Sequence, residues 1–282
     1  MRIRALADDQ ISAGGTYVLP CFESPPGVPL VLPLAPSRLQ TRLARFLQDE
    51  GFRGKERELA LLPLDEPGLP ARILVLGLGA EPRAGLLAVR SYAAQAVRLA
   101  TAARRPRLQV GVPTLPGLLP ETILQHLALG AVLGQYRFDA YRAERPDFTL
   151  QEVQLLLPAA SGVSAGRRSL TAAVRRGEVL GQAVGLARDL VNEPPAALTP
   201  ALFAARASRL AADTSLECTV LEASRLARDG FGGLVGVGRG SVAEPCLVHL
   251  TYRPRRRPRG RLALVGKGVR SEERRVGKEC RS

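Results

Sequence analysis

The sequence predicts an α/β protein, and three observations carry that prediction. Short apolar runs such as Ile73 to Leu78 are closed by Gly or stand beside Pro and Asp. Between them lie Ala- and Leu-rich segments whose apolar residues recur at helical spacing. The two kinds of segment alternate through the first half of the chain, the pattern of helices covering a sheet. With 282 residues the chain is long enough for one large or two ordinary domains, and 46 % hydrophobic residues are enough for a core. Only 4 % are aromatic and none is Trp, so that core must be built from Leu, Val and Ala.

Taken in order, Ser37 is placed to cap a helix carrying Leu39, Leu43, Phe46 and Leu47 on one face. Leu59 to Leu64 and Ile73 to Leu78 read as buried strands, and Arg83 to Ala103 as an Ala-rich helix. Leu108 to Val112 is a strand, Glu121 to Tyr136 a helix and Val153 to Leu157 a strand. A long helix over Ser169 to Leu190 runs into Glu193-Pro194-Pro195, where Pro removes the donor that would continue it. Thr199 as N-cap and Pro200 at the first helical position open the next helix, with Phe203, Ala207 and Leu210 expected to face inward. Leu216 to Leu221 is a strand and Glu222 to Arg228 a short helix. Leu247 to Tyr252 and Leu262 to Val265 read as strands joined by the basic turn Arg253 to Gly260. The domain boundary falls near residues 160 to 190, and the chain shows no internal repeat.

A net charge of +14 would ordinarily point to a polyanion partner. All but three of the 40 basic residues are Arg, however, and they are scattered, as a GC-rich coding sequence produces; solvated faces account for them. Cys21, Cys218, Cys246 and Cys280 form no CxxC pair, and His126 and His249 stand alone, so neither a zinc cluster nor a disulfide framework is indicated and a reducing cytoplasm fits. The N-terminus lacks an apolar stretch of signal-peptide length, and the early run Val28 to Leu34 is short and interrupted by Pro33, which speaks against export or membrane insertion.

Gly77-Leu78-Gly79 follows a strand but lacks the third glycine and the helix opening of a dinucleotide fingerprint; it reads as a strand-end turn. The run Gly230 to Ser241 ends in Arg239-Gly240-Ser241 where a phosphate loop needs Gly-Lys-Ser/Thr, so a tight backbone path between strand and helix is expected instead. Asp8-Asp9 and Asp65-Glu66 belong to turns. No Ser or Cys has a nucleophile elbow or a base partner.

A joint pattern lifts the second half above a generic domain. Tyr136-Arg-Phe-Asp139 with Tyr141, then Arg188-Asp-Leu-Val-Asn192, Pro194-Pro195 and Leu198-Thr-Pro200, then Gly230-Phe-Gly-Gly-Leu with Val237-Gly238 and Gly240-Ser241 occur in that order. Pro245, Leu250 and Tyr252 follow, and last Leu264-Val-Gly-Lys-Gly-Val269. These pieces resemble the YRFDxY, RDLxNxPxxxLTP, GMGxxxxVGxGS, PxLxxLxY and LVGKGxxFDxGG segments of the leucyl aminopeptidase (cytosol aminopeptidase) family, over roughly Tyr136 to Val269. The resemblance implies a mixed-sheet, macro-like N-terminal domain over residues 1–165 and a connecting helix over 166–191. The beginning of an α/β metallopeptidase domain over 192–269 follows.

It further implies a cytoplasmic, homo-hexameric metallo-exopeptidase that releases N-terminal residues from peptides, Leu preferred. Two divalent ions, Mn or Zn, would activate a bridging water and polarise the scissile carbonyl. One family ligand is a lysine amine, kept neutral by burial and the adjacent cation; the resemblance carries it to Lys267, on the strand expected before it. The next family ligand is an aspartate at the position of Glu272. Arg270 and Ser271 before it, and Glu273-Arg274 after it, break the motif, so Glu272 is read as a coincidence. No catalytic residue of the family is matched. Eight of the thirteen residues 270–282 are charged, hydrophobic periodicity ends at Val269, and RSEERRVGKEC resembles a translated sequencing-adapter read. The expectation is therefore a C-terminally truncated, inactive fragment, because one lysine cannot hold two dications. Two other readings stay open: an α/β module binding nucleic acid or a nucleotide, and a non-catalytic partner of full-length hexamers. Sequencing the locus past the codon for Val269 checks the tail, with Phe-Asp-x-Gly-Gly and an acidic cluster expected in its place.

Overall fold

The structure is a computed structural model that describes residues 1–7, 11–24, 39–81, 84–144, 147–158, 166–254 and 260–268. The chain divides into two compact units, Met1–Arg188 and Asp189–Ser282.

The first unit is a six-stranded sheet made of β1 (Arg2–Ala7), β2 (Thr16–Cys21), β3 (Leu59–Pro63), β4 (Arg72–Gly77), β5 (Arg107–Gly111) and β6 (Glu152–Leu157). Their order is β1-β6-β5-β2-β4-β3, with every neighbour parallel except the antiparallel pair β3–β4. Parallel strands are covered on both faces and so read as unbroken apolar runs. Successive side chains on one strand then enter opposite cores. Val18, Leu74 and Leu76 join one core, whereas Tyr17, Leu19, Ile73 and Val75 join the other.

Helices α2 (Leu86–Ala102) and α3 (Pro120–Gln135) cover the first face, with Ala173 and Val174 of α4 (Arg167–Asn192) added to that core. On the second face, α1 (Gln40–Asp49) contributes Leu43 and Leu47. Contact between the helices of the first layer is very close. An added Cβ at Gly130 of α3 would lie 2.2 Å from the Arg90 carbonyl oxygen, and one at Gly177 of α4 would lie 2.2 Å from that of Gln125.

Several expectations are corrected here. β1 and β2 carry no strand signal strong enough to have been read: β1 alternates Arg2 and Arg4 with apolar residues at a sheet edge, and β2 contains Pro20. Pro20 is tolerated because the β2–β5 ladder covers only Tyr17 and Val18, so the missing donor has no partner to lose there. Where the ladder stops, the buried Tyr92 hydroxyl spans the gap, 3.1 Å from the carbonyl oxygens of both Val18 and Gly111. Burial, then the neighbouring Tyr17, keeps this phenol protonated well above its usual range. β3 was expected to be buried but alternates, with Leu59 and Leu61 exposed, because an edge strand has only one covered face. The expected cap Ser37 and the run Val28 to Leu34 lie outside the described residues.

The second unit holds α5 (Pro200–Ala212), β7 (Leu216–Leu221), α6 (Ala223–Arg228), α7 (Gly232–Gly238) and β8 (Leu247–Tyr252). Thr199 caps α5 as expected, its hydroxyl oxygen accepting from the Leu202 N–H at 3.4 Å. The inward face of α5 is shifted by one residue: Ala204 and Ala211 are buried, while Phe203 is 40 % exposed. β7 and β8 pair antiparallel, from Leu216 opposite Tyr252 to Leu221 opposite Leu247.

Two outcomes check this packing. Gly130→Ala should destabilise the first unit by about 1–3 kcal/mol, because the methyl meets backbone that cannot yield. Gly85→Ser, at an open helix start, should leave the urea midpoint unchanged or slightly raised. His126 on α3 has a buried Nδ1 without a partner among the described residues, and desolvation, then Arg90, lowers its pKa. A depressed pKa means that its contribution to stability is present above the unfolded value of 6.5 and is lost as pH falls. Urea midpoints between pH 7 and 5 should fall less steeply in His126→Gln than in the wild type.

Candidate functional site

The segment that ends in Lys267 is reached through the second unit's frame. Helix α5 packs beside the strand pair: just before β8 the Cys246 Sγ donates to the Pro200 carbonyl at 3.3 Å, and Ser208 Oγ lies 3.6 Å from Cys218 Sγ of β7. The chain leaves α6 through Gly230 at φ +82°, a left-handed residue at a helix end, and the Phe231 N–H then donates to the Leu226 carbonyl at 2.9 Å.

The Gly-rich run was expected to be a tight path, and at most of its length it is not. Gly232 to Gly238 form α7, and Cβ atoms added at Gly232, Gly233, Gly236 or Gly240 would meet nothing within 4 Å. Only Gly238 is pressed, with Pro245 Cγ 2.6 Å from such an atom. Gly77-Leu78-Gly79 does behave as a strand-end turn: Gly79 has φ +77°, and at Gly77 the Lys55 carbonyl leaves no room for a side chain.

Lys267 itself lies in residues 260–268, which form no regular secondary structure and are exposed throughout. The strand expected over Leu262–Val265 is therefore absent, and Leu262, Leu264 and Val265 are 86 %, 88 % and 99 % exposed. An extended apolar segment becomes a strand only when a neighbour takes up its backbone donors and acceptors, and among the described residues none pairs with this one. Glu272 and Val269 lie outside the described residues.

The donor set around Lys267 does not fit a pair of dications. Among the described residues no three His, Cys, Asp or Glu side chains cluster as metal ligands do. Several acids of the second unit are engaged by arginines: Glu193 by Arg206, Glu217 by Arg253 at 3.1 Å and Asp229 by Arg225 at 3.1 Å. In the first unit a cleft of about 420 Å³ opens between the ends of α2 and α3, lined by Arg98, Arg104, Arg137 and Asp147 among others. Its one lining carboxylate is held by Arg104 at 2.6 and 2.8 Å, and this pairing lowers the pKa of Asp147, so the cleft offers no cation ligands either.

Glu193 carries no sequence signature that sets it apart. It is 6 % exposed, directly after α4, and forms an ion pair with Arg206. A carboxylate beside Pro-Pro gives no hint of burial; only the return of α5 reveals it.

The fold defines the class: a mostly parallel α/β domain with helices on both faces, followed by a long helix and a second α/β unit that contains the Leu-Val-Gly-Lys-Gly segment. The sequence profile of the cytosol aminopeptidase family N-terminal domain matches residues 18–145, and that of the family's catalytic domain matches residues 185–270. The chain belongs to the cytosol aminopeptidase family. It is 40 % identical over 238 residues to a probable cytosol aminopeptidase of Syntrophotalea carbinolica, a match that takes in 82 % of this chain and 46 % of the relative. A probable cytosol aminopeptidase of Aquifex aeolicus is 30 % identical over 227 residues, with 80 % of this chain and 43 % of the relative covered. The chain thus spans about half the length of the curated relatives it matches.

Among solved structures, the bottromycin maturation enzyme BotP in complex with Mn is 28 % identical with a TM-score of 0.64, over 86 % of this chain and 46 % of that one. A mutant of tomato leucine aminopeptidase shares the fold, with a TM-score of 0.74 and 22 % identity over 92 % of this chain and 52 % of that one.

Because Lys267 is exposed, acetylation by an amine-reactive reagent should modify it as fast as the exposed Lys55. Peptide mass spectrometry reads both sites, and a protected Lys267 would contradict the structure.

Proposed function

We propose a metal-dependent aminopeptidase of the leucyl type, a cytoplasmic hydrolase that releases N-terminal residues, leucine foremost, from peptides and works as a homo-hexamer. What supports the reading is the continuous family match over residues 185–270, which takes in Leu264-Val-Gly-Lys-Gly268. The Mn complex of BotP, a structural neighbour, supports a divalent metal, with Mn or Zn as the candidates. Among the described residues no helix is long and apolar enough to cross a membrane.

Lys267 is the proposed metal ligand of this chain. An ammonium cannot coordinate, so the amine must lose its proton, which burial and an adjacent dication both favour. Neither is supplied by the described residues, where Lys267 is exposed and no acidic cluster stands near it. These 282 residues on their own do not fit the two-metal group, and no hydrolytic step runs through them.

A role in nucleic-acid binding gains nothing from the structure. Arg42, Arg104, Arg137 and Arg142 are occupied with Glu66, Asp147 and Asp139 inside the first unit, rather than left free for phosphates.

The test has two parts. The purified 282-residue chain should show no metal-dependent hydrolysis of leucine p-nitroanilide, and added Mn²⁺ should not slow acetylation of Lys267. A clone extended through the genomic sequence beyond Val269 should hydrolyse the anilide with Mn²⁺ or Zn²⁺, and Lys267→Ala in that clone should cost at least about 100-fold in kcat, the order expected when a metal ligand or its support is lost. An extended clone that is inactive with either ion would remove the aminopeptidase reading.

A further inference from the structure

The six-stranded sheet has two edges, and the chain treats them differently. At one edge, β1 alternates Arg2 and Arg4 with apolar residues, and Arg4 reaches Glu152 of the neighbouring β6 at 3.7 Å. Charged residues on an edge are a common defence against the addition of a further strand. At the other edge, β3 reads Leu59-Ala-Leu-Leu-Pro63 and carries no charge. Its Leu59 and Leu61 side chains are 42 % and 46 % exposed.

The β3–β4 ladder determines which backbone groups this edge offers. In an antiparallel pair, alternate residues bond the neighbour and those between them turn their N–H and C=O away. At the two ends of the ladder, the Gly77 N–H donates to the Glu58 carbonyl at 2.8 Å and the Leu64 N–H to the Ala71 carbonyl at 2.9 Å. Ala60 and Leu62 fall in the same alternation and bond β4, so Leu59 and Leu61 direct both backbone groups outward. Among the described residues nothing takes up those four groups. The edge is also closed at its ends. Pro63 has no N–H to offer, and Arg57, at φ +67°, turns the backbone out of the strand.

Four groups in this arrangement are complementary to themselves. A second β3, antiparallel and related by a two-fold axis at Ala60, sets Leu59 opposite the second copy's Leu61 and Leu61 opposite its Leu59. Each such pair exchanges two N–H···O bonds, so every outward group of both strands is used and none is left over. The leucines stay on one face. Leu59 and Leu61 stand opposite Leu76 and Leu74 of the first core, and the second copy's leucines extend that row. Charge follows the same axis. Lys55 and Asp65 are both exposed and lie five residues to either side of Ala60, so each lysine meets the other copy's aspartate. An arbitrary strand could share the backbone bonds, but this charge match belongs to a second copy.

We propose that the β3 edge is a self-pairing site through which two copies of this chain join their six-stranded sheets. A contact this short belongs to the weak class of interfaces, with dissociation in the micromolar range. It involves the first unit alone and no metal centre, so it stands apart from the peptidase reading, which the activity of the extended clone decides.

Sedimentation velocity of the full 282-residue chain at low salt, from about 1 µM to about 500 µM, should show monomer passing into dimer. Over the same series, hydrogen exchange at the Leu59 and Leu61 amides should slow by at least about fivefold, whereas Ala60 and Leu62 stay protected throughout. Leu61→Lys, at a half-exposed position, should keep the wild-type urea midpoint and abolish the dimer. Lys55→Glu and Asp65→Lys should each weaken the dimer by about three- to tenfold, and the two together should restore it. These charge variants decide the matter if Leu61→Lys fails to fold. A wild type that stays monomeric throughout overturns the proposal. Protection of Leu59 and Leu61 that ignores concentration does so too, because another segment of the same chain then covers the edge. A folded Leu61→Lys that dimerises like the wild type, or a double charge exchange that recovers nothing, has the same consequence.

Discussion

Strands β2, β4, β5 and β6 run parallel, so nearly every residue in them faces one helical layer or the other and few can face water. That demand for cover on both faces organises the first unit. It selects the unbroken apolar runs, places α2 and α3 on one side and α1 on the other, and sorts alternate residues of each strand into two separate cores. It also sets the spacing of the helical layer. With Ala lining α2 and Gly lining α3 and α4, backbones come close enough for their carbonyl oxygens to replace side chains as packing surface. A core poor in aromatic rings is filled here by proximity rather than by bulk.

The same economy of large side chains leaves polar groups at a few junctions to do specific structural tasks. Tyr92 bridges β2 and β5 where their ladder ends. Gln109, 3 % exposed, accepts from the Ser12 N–H at 2.7 Å and donates to Gln154 at 2.8 Å, which fastens the loop before β2 to the middle of the sheet. These buried groups are satisfied, so they fix geometry without the desolvation cost of an unmade bond. The arginines that form ion pairs act differently. Pairs such as Arg42–Glu66, Arg104–Asp147, Arg225–Asp229 and Arg253–Glu217 are exposed, and each is worth little in stability.

The second unit, which takes in most of the match to the family's catalytic-domain profile, is sparsely packed on its own contacts. Among the described residues two strands, a capped helix and two short helices bury Ala204, Ala211 and Leu226, with only Leu226 at 0 % exposure, while the Lys267 segment stands exposed in its own unit. Membership of the cytosol aminopeptidase family rests on the order and spacing of sequence segments in both domains. A metal centre, by contrast, rests on side chains gathered in space, and among the described residues no three His, Cys, Asp or Glu side chains gather.

What the sequence determined by itself is whatever short-range pattern controls. Helices α2, α3, α4 and α5 and strands β4 to β8 follow from periodicity, caps and Pro-Pro, all of which act within a few residues. Lineage is equally local, since it is written as ordered motifs. Tertiary structure decided whatever depends on a distant neighbour. β2 tolerates Pro20 only because its partner ladder has already ended, and β3 is half-exposed only because nothing pairs beyond it. Phe203 faces out because α5 turns its alanines to the strands, and Leu262 to Val265 is no strand because no partner among the described residues meets it. The burial of Glu193 and the seat of Arg188 on the Tyr136 ring are of the same kind. Each joins residues far apart in the chain or on separate elements, and no window of sequence contains both halves of such a contact.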